Sequence, residues 1–299
     1  MQHTLVVVAG PTAVGKTALC IELAQFYNTE IISCDSRQFF KEMSIGTAVP
    51  NKDELTTVPH HFIQSHSITQ HYSVGMFERD CLAKLDQLFK TNNIVFMTGG
   101  SGMYIDAVCN GLDEFPDIKP EIREQLNLQL QQEGIESLLH QLKTLDLEYY
   151  NKVDKANPHR IIRALEICIG TGKSYSSFKN KTKKERPFRI IKIALQRDRE
   201  MLYNRINLRV DLMLEAGLLE EVKSLYEFKN HNALQTVAYK ELYRMIDGEW
   251  EMETAVSEIK KNTRRFAKRQ MTWFRRDAAY HYFHPEQKEE IIHYIESQL

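Results

Sequence analysis

The most informative segment of the chain reads Gly10-Pro11-Thr12-Ala13-Val14-Gly15-Lys16-Thr17. It follows an apolar run, residues 5–9, and leads into a segment of helical character, residues 18–27. A strand, a glycine-rich turn and a helix in this order, with the spacing G-x-x-x-x-G-K-[ST], are typical of a phosphate-binding loop. Such a loop turns backbone N–H groups and the positive end of the helix dipole towards a phosphate, while Lys16 supplies a charge and the Thr17 hydroxyl can hold Mg²⁺. The segment predicts a binder of phosphate or diphosphate and leaves open what is done with the phosphate.

The composition is that of an ordinary soluble globular protein. Of 299 residues, 42% are hydrophobic and 26% are charged. The net charge of −1 argues against indiscriminate nucleic-acid binding, although a balanced sum can hide a one-sided distribution. The five cysteines are scattered without a CxxC pair, which fits reduced thiols in a cytosolic protein. Because the N-terminal apolar run is too short to span a membrane and lacks a preceding basic region, we expect a strand there and a cytoplasmic protein.

A second short apolar segment, residues 30–34, ends in Asp35-Ser36-Arg37-Gln38. In a parallel α/β sheet the carboxyl ends of the strands form the ligand-binding edge, so Asp35 is expected beside the phosphate loop. Three roles for its carboxylate stay open at this point: binding Mg²⁺, accepting a proton, or capping the next helix.

A second glycine-rich turn, Thr98-Gly99-Gly100-Ser101-Gly102-Met103-Tyr104, follows a buried-strand pattern at residues 94–97. Its glycines allow close approach of the backbone, and Ser101 could donate to a phosphate or substrate oxygen, but packing alone would also explain the turn. Residues 46–75 are polar and turn-rich and predict a long loop across the site. This loop contains His60 and His61, whose adjacent positions do not suit a metal pair, so a structural or substrate-positioning role is favoured.

The sequence changes character at about residue 113. From there to about 186 the pattern predicts amphipathic helices without a strand, and strand character returns at 188–195. We therefore predict an α/β protein with a P-loop-type parallel sheet flanked by helices, formed by 1–118 and 188–299 with a helical C-terminal part. A helical insertion is predicted at about 119–187. One of its helices carries Arg160 and Arg163, which form either a solvated face or, if the helix faces the site, phosphate contacts.

A strongly basic run, residues 260–276, contains no acidic residue. Phe266, Trp273 and Phe274 are interleaved with its lysines and arginines, which include Lys268 and Arg269. A solvated helix face normally alternates the signs of its charges. The run therefore favours a surface for a polyanion such as nucleic acid, and the aromatic residues could be core contacts beneath it.

The phosphate chemistry does not follow from the loop alone. A nucleotide kinase would use the loop for ATP and often has a strand that ends in an acidic residue for Mg²⁺, whereas the strand at 94–97 ends in Thr-Gly-Gly. The loop could equally hold a diphosphate as a leaving group. Nearly from end to end, the chain resembles the bacterial tRNA dimethylallyltransferases (tRNA isopentenyltransferases). The blocks that carry this resemblance are Gly10–Thr17, Asp35–Gln38, Ile45–Ala48, Pro59–His61, Gly99–Tyr104, Asn157–Glu166, Arg209–Gly217, Tyr239–Leu242 and Thr263–Arg276.

The resemblance implies transfer of the five-carbon group of dimethylallyl diphosphate to N6 of adenosine 37 in tRNA, with Mg²⁺ as cofactor. It implies that the loop Gly10–Thr17 binds the diphosphate, that Thr17 contacts the metal, and that Lys16 and Arg209 counter the charge on the leaving group. Asp35 would accept the N6–H proton, and Ser101, which stands where the family usually has threonine, would hydrogen-bond near the diphosphate and the adenosine. The residues implied to contact tRNA are Asp35, Ser36, Arg37, Gln38, Ser101, Arg123, His159, Arg160, Ile161, Ile162 and Arg163, to which the basic run adds Lys268 and Arg269.

Three rival functions remain. An adenylate isopentenyltransferase would use the same donor on a free nucleotide, but a free nucleotide needs neither the helical insertion nor the basic run. A P-loop small-molecule kinase or ATPase is the second rival. The third is a non-catalytic RNA-binding module, against which the joint presence of Lys16, Thr17 and Asp35 argues. We expect a monomer without membrane association.

Overall fold

The computed structural model describes residues 2–179 and 184–299 and divides into two compact units. The first unit comprises the chain up to Asn110 together with Glu185–Leu299, and the second unit is Gly111–Lys184. The insertion predicted from the sequence ran from 119 to 187, so the second unit begins earlier than predicted. Side-chain packing explains the difference: Phe115 stacks on Tyr175 with ring centroids 5.0 Å apart, which ties the segment before residue 119 into the second unit.

The first unit is built on a parallel sheet. Its strands in chain order are β1 (Thr4–Ala9), β2 (Ile31–Ser33), β3 (His60–His61), β4 (Ile94–Gly99), β5 (Arg189–Leu195) and β6 (Tyr280–Phe283). They lie in the order β3-β2-β4-β1-β5-β6, and every neighbouring pair is parallel. All residues of β1 are buried, as expected for a central strand covered on both faces. The predicted parallel α/β fold is confirmed.

Helices cover the sheet on both faces. Val6 clusters with Leu23 on one face, whereas Val7 clusters with Phe77 and Ile105 on the other, because side chains alternate along a strand. The α-helices in chain order are α1 (Lys16–Phe26), α2 (Lys52–Thr57), α3 (Val74–Leu88), α4 (Gly102–Asn110), α5 (Pro120–Glu133), α6 (Ile135–Leu145), α7 (Leu147–Lys152), α8 (Pro158–Thr171), α9 (Arg199–Glu215), α10 (Leu218–Ser224), α11 (Tyr239–Ile246), α12 (Met252–Phe274) and α13 (Lys288–Gln298). None of the helices in these described ranges has the length and hydropathy of a membrane span.

The segment predicted as one long loop, 46–75, contains regular structure. The helix α2 begins after Asn51, which forms a reciprocal capping box with Glu54. The strand β3 follows and pairs with β2 at the edge of the sheet. The prediction missed both because a six-residue helix and a two-residue strand are too short to show hydrophobic periodicity.

The second unit contains α5–α8 around its own core, which includes Leu138, Leu142 and Leu165. The helix α8 starts at Pro158, and the Asn157 side chain accepts a hydrogen bond from the backbone N–H of Arg160. Ile161 and Ile162 are 0% and 3% exposed, so their side chains belong to this core. The implied RNA contact of these two side chains is therefore corrected, since the helical period turns them inward.

Candidate active site

The phosphate loop joins β1 to α1 and is held in shape by distant side chains. Ala13 and Gly15 have φ angles of 64° and 115°, so the loop passes twice through the left-handed region. The carbonyl oxygen of Ala13 accepts a hydrogen bond from Nε of Arg205 at 2.8 Å. The carbonyl oxygen of Val14 accepts one from Nε of Arg197, also at 2.8 Å. These bonds fix the orientation of the loop peptides, which preorganises an anion site.

Lys16 lies in the middle of this loop. Its ammonium donates to the carbonyl oxygens of Gly10 at 3.0 Å and Pro11 at 2.8 Å. Burial lowers the pKa of Lys16 to about 8, and the charge of Arg209 lowers it further while Asp35 partly offsets the shift. A desolvated ammonium in such surroundings is stabilised by a bound anion, so the site is suited to a diphosphate.

A cavity of about 290 Å³ opens above the loop. Lys16, Thr17, Arg205 and Arg209 are among the residues that line it. The pKa of Arg209 is lowered by burial and then by the charge of Arg205, which is one helical turn away on α9. Three cationic side chains around one small cavity define an anion pocket.

Asp35 follows β2 and lines the same cavity. Its Oδ1 accepts the backbone N–H of Arg37 at 3.0 Å, residues 36–39 form a turn, and the next helix begins only at Lys52. The helix-capping role left open by the sequence is therefore replaced by a local turn. The turn is tied to the second glycine-rich segment, because Oγ of Ser101 accepts the backbone N–H of Ser36 at 3.0 Å and donates to its hydroxyl at 3.1 Å.

A larger cavity of about 430 Å³ lies next to the first. Asp35 and Ser101 line its polar part. Its apolar part is formed by Ile206, Val210, Met213, Val237, Ile259 and Phe266. A pocket with an apolar wall and a few convergent polar groups is typical of a small-molecule or base-binding site.

The glycines of the second turn serve packing against α12. A Cβ on Gly100 would overlap the side-chain amide of Gln270, and one on Gly102 would overlap the Trp273 ring. The buried amide of Gln270 accepts the backbone N–H of Thr12 at 2.9 Å and donates to the carbonyl of Gly100 at 3.0 Å. Gln270 thus joins the phosphate loop to this turn, and sequence reasoning missed it because a lone glutamine in a basic run gives no signal.

Two of the predicted RNA-binding residues next to Asp35 make structural hydrogen bonds. Nη1 of Arg37 donates to the backbone carbonyls of Asn232 and Ala233 at 2.8 and 2.9 Å. Nε2 of Gln38 donates to the carbonyl oxygens of Thr47 and Ala48 at 3.1 and 2.9 Å. These side chains hold neighbouring segments in place, and an RNA contact would have to use the atoms that remain.

The basic run lies on α12, as predicted, and its cations fall into two groups. Lys260 forms an ion pair with Asp211 at 2.6 Å, and Arg264 donates to Oδ1 of Asn207 at 2.6 Å. Lys268 and Arg269 are exposed, and Arg269 also lines the larger cavity. The second pair is therefore better placed for a phosphate backbone.

In the second unit, the predicted RNA-binding cations lie on α5 and α8. His159 and Arg160 are exposed at the start of α8. Arg123 and Arg163 both form ion pairs with the buried carboxylate of Glu166, at 3.2 and 3.0 Å. Two guanidinium groups share one carboxylate, so a positive charge remains there for a polyanion.

A metal site was predicted at Thr17. Within residues 2–179 and 184–299, no group of three or more His, Cys, Asp or Glu side chains is placed to hold a metal ion. Mg²⁺ commonly takes one or two protein oxygens plus substrate phosphates, and the Thr17 hydroxyl beside the cationic cavity fits this pattern. The buried Nε2 of His60, on the wall of the same cavity, lacks a hydrogen-bond partner among the described residues, and burial lowers the pKa of this imidazole. A neutral imidazole nitrogen could accept a bond from a metal-bound water.

A parallel sheet with a phosphate loop after its first strand and a carboxylate after its second defines a P-loop-type protein that binds a phosphorylated ligand. The family model described as IPP transferase matches residues 38–277. The tRNA dimethylallyltransferase of Christiangramia forsetii is 57% identical over 300 residues, covering 100% of this chain and 99% of its own. The tRNA dimethylallyltransferase 1 of Phocaeicola vulgatus is 50% identical over 297 residues, covering 99% of each chain. This chain belongs to the IPP transferase family, a family of transferases, and the resemblance stated from its sequence is confirmed.

Solved structures agree with this assignment. The full-length tRNA isopentenylpyrophosphate transferase of Bacillus halodurans aligns with a TM-score of 0.74 at 33% identity, covering 99% of this chain and 96% of that one. A eukaryotic dimethylallyltransferase acting on tRNA aligns with a TM-score of 0.75 at 27% identity, covering 91% of this chain and 69% of that one.

Proposed function

We propose that this protein transfers the dimethylallyl group of dimethylallyl diphosphate to N6 of adenosine 37 in tRNA and releases diphosphate. The observation that carries the proposal is the position of Asp35, which lines both the cationic cavity of the phosphate loop and the larger cavity. A base at the junction of two cavities can serve a reaction between a diphosphate held in one and a nucleophile held in the other. The names of the similar proteins support tRNA as the acceptor.

In the proposed step, the bond between C1 of the donor and the diphosphate oxygen breaks, and its electron pair leaves with the diphosphate. The bond between C1 and N6 forms, and the N6–H proton passes to the carboxylate of Asp35. Lys16 and Arg209 line the cavity in which negative charge grows on the leaving group, so they stabilise the transition state. The Thr17 hydroxyl and the diphosphate oxygens would hold Mg²⁺, which adds positive charge at the leaving group.

The acceptor must present its adenine to the larger cavity, and a base can do so only after leaving its stack. An anticodon loop is partly single-stranded, which lowers that cost. We propose that Lys268 and Arg269 in the first unit, and His159 and Arg160 in the second, contact tRNA phosphates, since all four are exposed.

The decisive assay combines the protein with dimethylallyl diphosphate, Mg²⁺ and unmodified tRNA that carries adenosines at positions 36–38, and detects prenylated adenosine by mass spectrometry. Asp35→Asn should lower transfer by about a hundredfold or more while tRNA binding survives, because the amide keeps the bond to the Arg37 N–H but cannot accept a proton. Asp53→Asn, at an exposed position in the first turn of α2, is the matched control and should behave as the wild type.

Other outcomes would select a rival. Transfer to AMP but not to tRNA would indicate an adenylate isopentenyltransferase, and ATP turnover without prenyl transfer would indicate a kinase. Binding of tRNA without any turnover would indicate an RNA-binding module. Normal transfer by Asp35→Asn would remove the base role from this residue. The cytoplasmic location and the monomeric state expected from the sequence stay predictions.

A further inference from the structure

The two cavities of the first unit share part of their walls. Under the proposed function, on which this inference rests, the leaving diphosphate occupies the smaller cavity and the adenine occupies the larger one. The carbon that exchanges oxygen for nitrogen must then lie along the shared wall. The residues that line both cavities are Thr12, Asp35, Thr47, Ala48, Arg209 and Phe266.

Phe266 is the residue of this shared wall with a large apolar surface. Its side chain is 38% exposed, whereas Ile259, Gln270 and Phe274 on the same helix are buried. The guanidinium carbon of Arg269 lies 5.7 Å from the centroid of the Phe266 ring, so a cation already rests near it. An exposed phenyl ring inside a reaction cavity forgoes the free energy of burial unless an apolar ligand covers it.

We propose that the Phe266 ring is the surface on which the five-carbon group of the donor lies during transfer. Positive charge develops on the allylic carbons as the C1–O bond breaks, and the face of an aromatic ring attracts a cation. The ring also excludes water from C1. In the reaction that it prevents, water supplies the oxygen that bonds to C1, its proton passes to solvent, and diphosphate leaves with the electron pair. The product of that side reaction is dimethylallyl alcohol.

Three variants test the two effects. Phe266→Leu keeps apolar bulk and removes the aromatic face, whereas Phe266→Tyr keeps the face. Phe228→Leu is the matched control, because Phe228 is 37% exposed and is not among the described residues that line either cavity. For each variant, kcat for transfer to tRNA and the ratio of alcohol to prenylated adenosine are measured with saturating donor. Thermal melting confirms that each variant is folded.

Phe266→Leu should lower kcat by about tenfold and raise the fraction of alcohol several-fold, while Phe266→Tyr should stay within about twofold of the wild type. Phe228→Leu should leave both quantities unchanged. Wild-type kcat and product ratio in folded Phe266→Leu would overturn the inference, and so would equal losses in Phe266→Leu and Phe266→Tyr. Failure of the proposed function looks different, because the wild-type protein itself would then form no prenylated adenosine.

Discussion

Glu221 on α10 holds a wall of the site through one carboxylate. Its Oε2 accepts the backbone N–H groups of Ser44 at 3.0 Å and Ile45 at 2.8 Å. Its Oε1 accepts the backbone N–H of Gly46 at 3.0 Å and the hydroxyl of Tyr239 at 2.6 Å. Four donors thus converge on one charged group, and the chain that they fix continues directly into the residues of the shared cavity wall.

The substitution Glu221→Gln tests this arrangement while keeping the shape of the side chain. Hydrogen bonds to a charged group contribute about 1.5–3 kcal/mol, and neutral ones about 0.5–1.5 kcal/mol. In its best orientation the amide nitrogen faces Tyr239, whose hydroxyl can accept, so the Gly46 N–H loses its acceptor and the other bonds become neutral. We therefore expect the free energy of unfolding to fall by about 3 kcal/mol. The KM for the donor should rise as well, because Thr47 and Ala48 line both cavities.

Urea denaturation gives the free energy of unfolding, and hydrogen exchange shows where the loss falls. Protection should decrease first at the amides of Ser44, Ile45 and Gly46. The matched control is Glu220→Gln on the exposed face of α10, which should change the free energy of unfolding by less than about 0.5 kcal/mol. If Glu221→Gln unfolds like this control and the three amides keep their protection, the carboxylate does not hold this segment and the reasoning is refuted.

Three further perturbations follow from the site. Because burial lowers the pKa of Lys16 to about 8, calorimetry should show affinity for inorganic diphosphate falling as pH rises through 8, and Lys16→Met should lose that component; identical pH profiles would contradict it. The folded protein then binds fewer protons than the unfolded chain between the lowered pKa and the ordinary lysine value, so this group makes stability rise with pH over that interval. Gly100→Ala should lower the free energy of unfolding by about 2–3 kcal/mol in urea, because its Cβ overlaps a buried amide; an unchanged midpoint would show that the neighbour yields. Replacing Lys268 and Arg269 by glutamine should weaken tRNA binding and flatten its salt dependence by about one per lost phosphate contact, whereas exposed Lys90→Gln should not; an unchanged slope would place α12 away from RNA.

Local pattern predicted those parts of the molecule that local interactions determine. The strand, loop and helix around Lys16 follow from the motif, and the buried face of α3 follows from apolar residues at helical spacing. The position of Asp35 beside the loop followed from the rule that parallel strands bring their carboxyl ends to one edge. In each case the information lies within a few residues or in the handedness of the sheet.

Long-range contacts set the remainder, and the sequence gave no sign of them. Gln270 bonds to Thr12 across 258 positions, and Arg205 bonds to Ala13 across 192. Neither residue stands out by type or spacing, because a hydrogen bond to a backbone group needs only a donor or acceptor at the right place in the folded chain. The isoleucines of α8 failed for a different reason. They lie within a block implied to bind RNA, while the helical period buries their side chains.

The surroundings of the phosphate loop indicate which chemistry it serves. The motif alone fits a nucleotide whose outer phosphoryl group moves as well as a diphosphate that departs. A phosphoryl acceptor would need polar surroundings where the moving phosphorus lies, with charges aimed at its oxygens. Here the wall next to the loop cavity combines a carboxylate, Asp35, with an apolar ring, Phe266, and the cavity beyond continues with aliphatic side chains. A base beside an apolar surface suits a carbon electrophile that must be kept from water, so the arrangement favours a diphosphate that stays in the loop while its carbon group leaves.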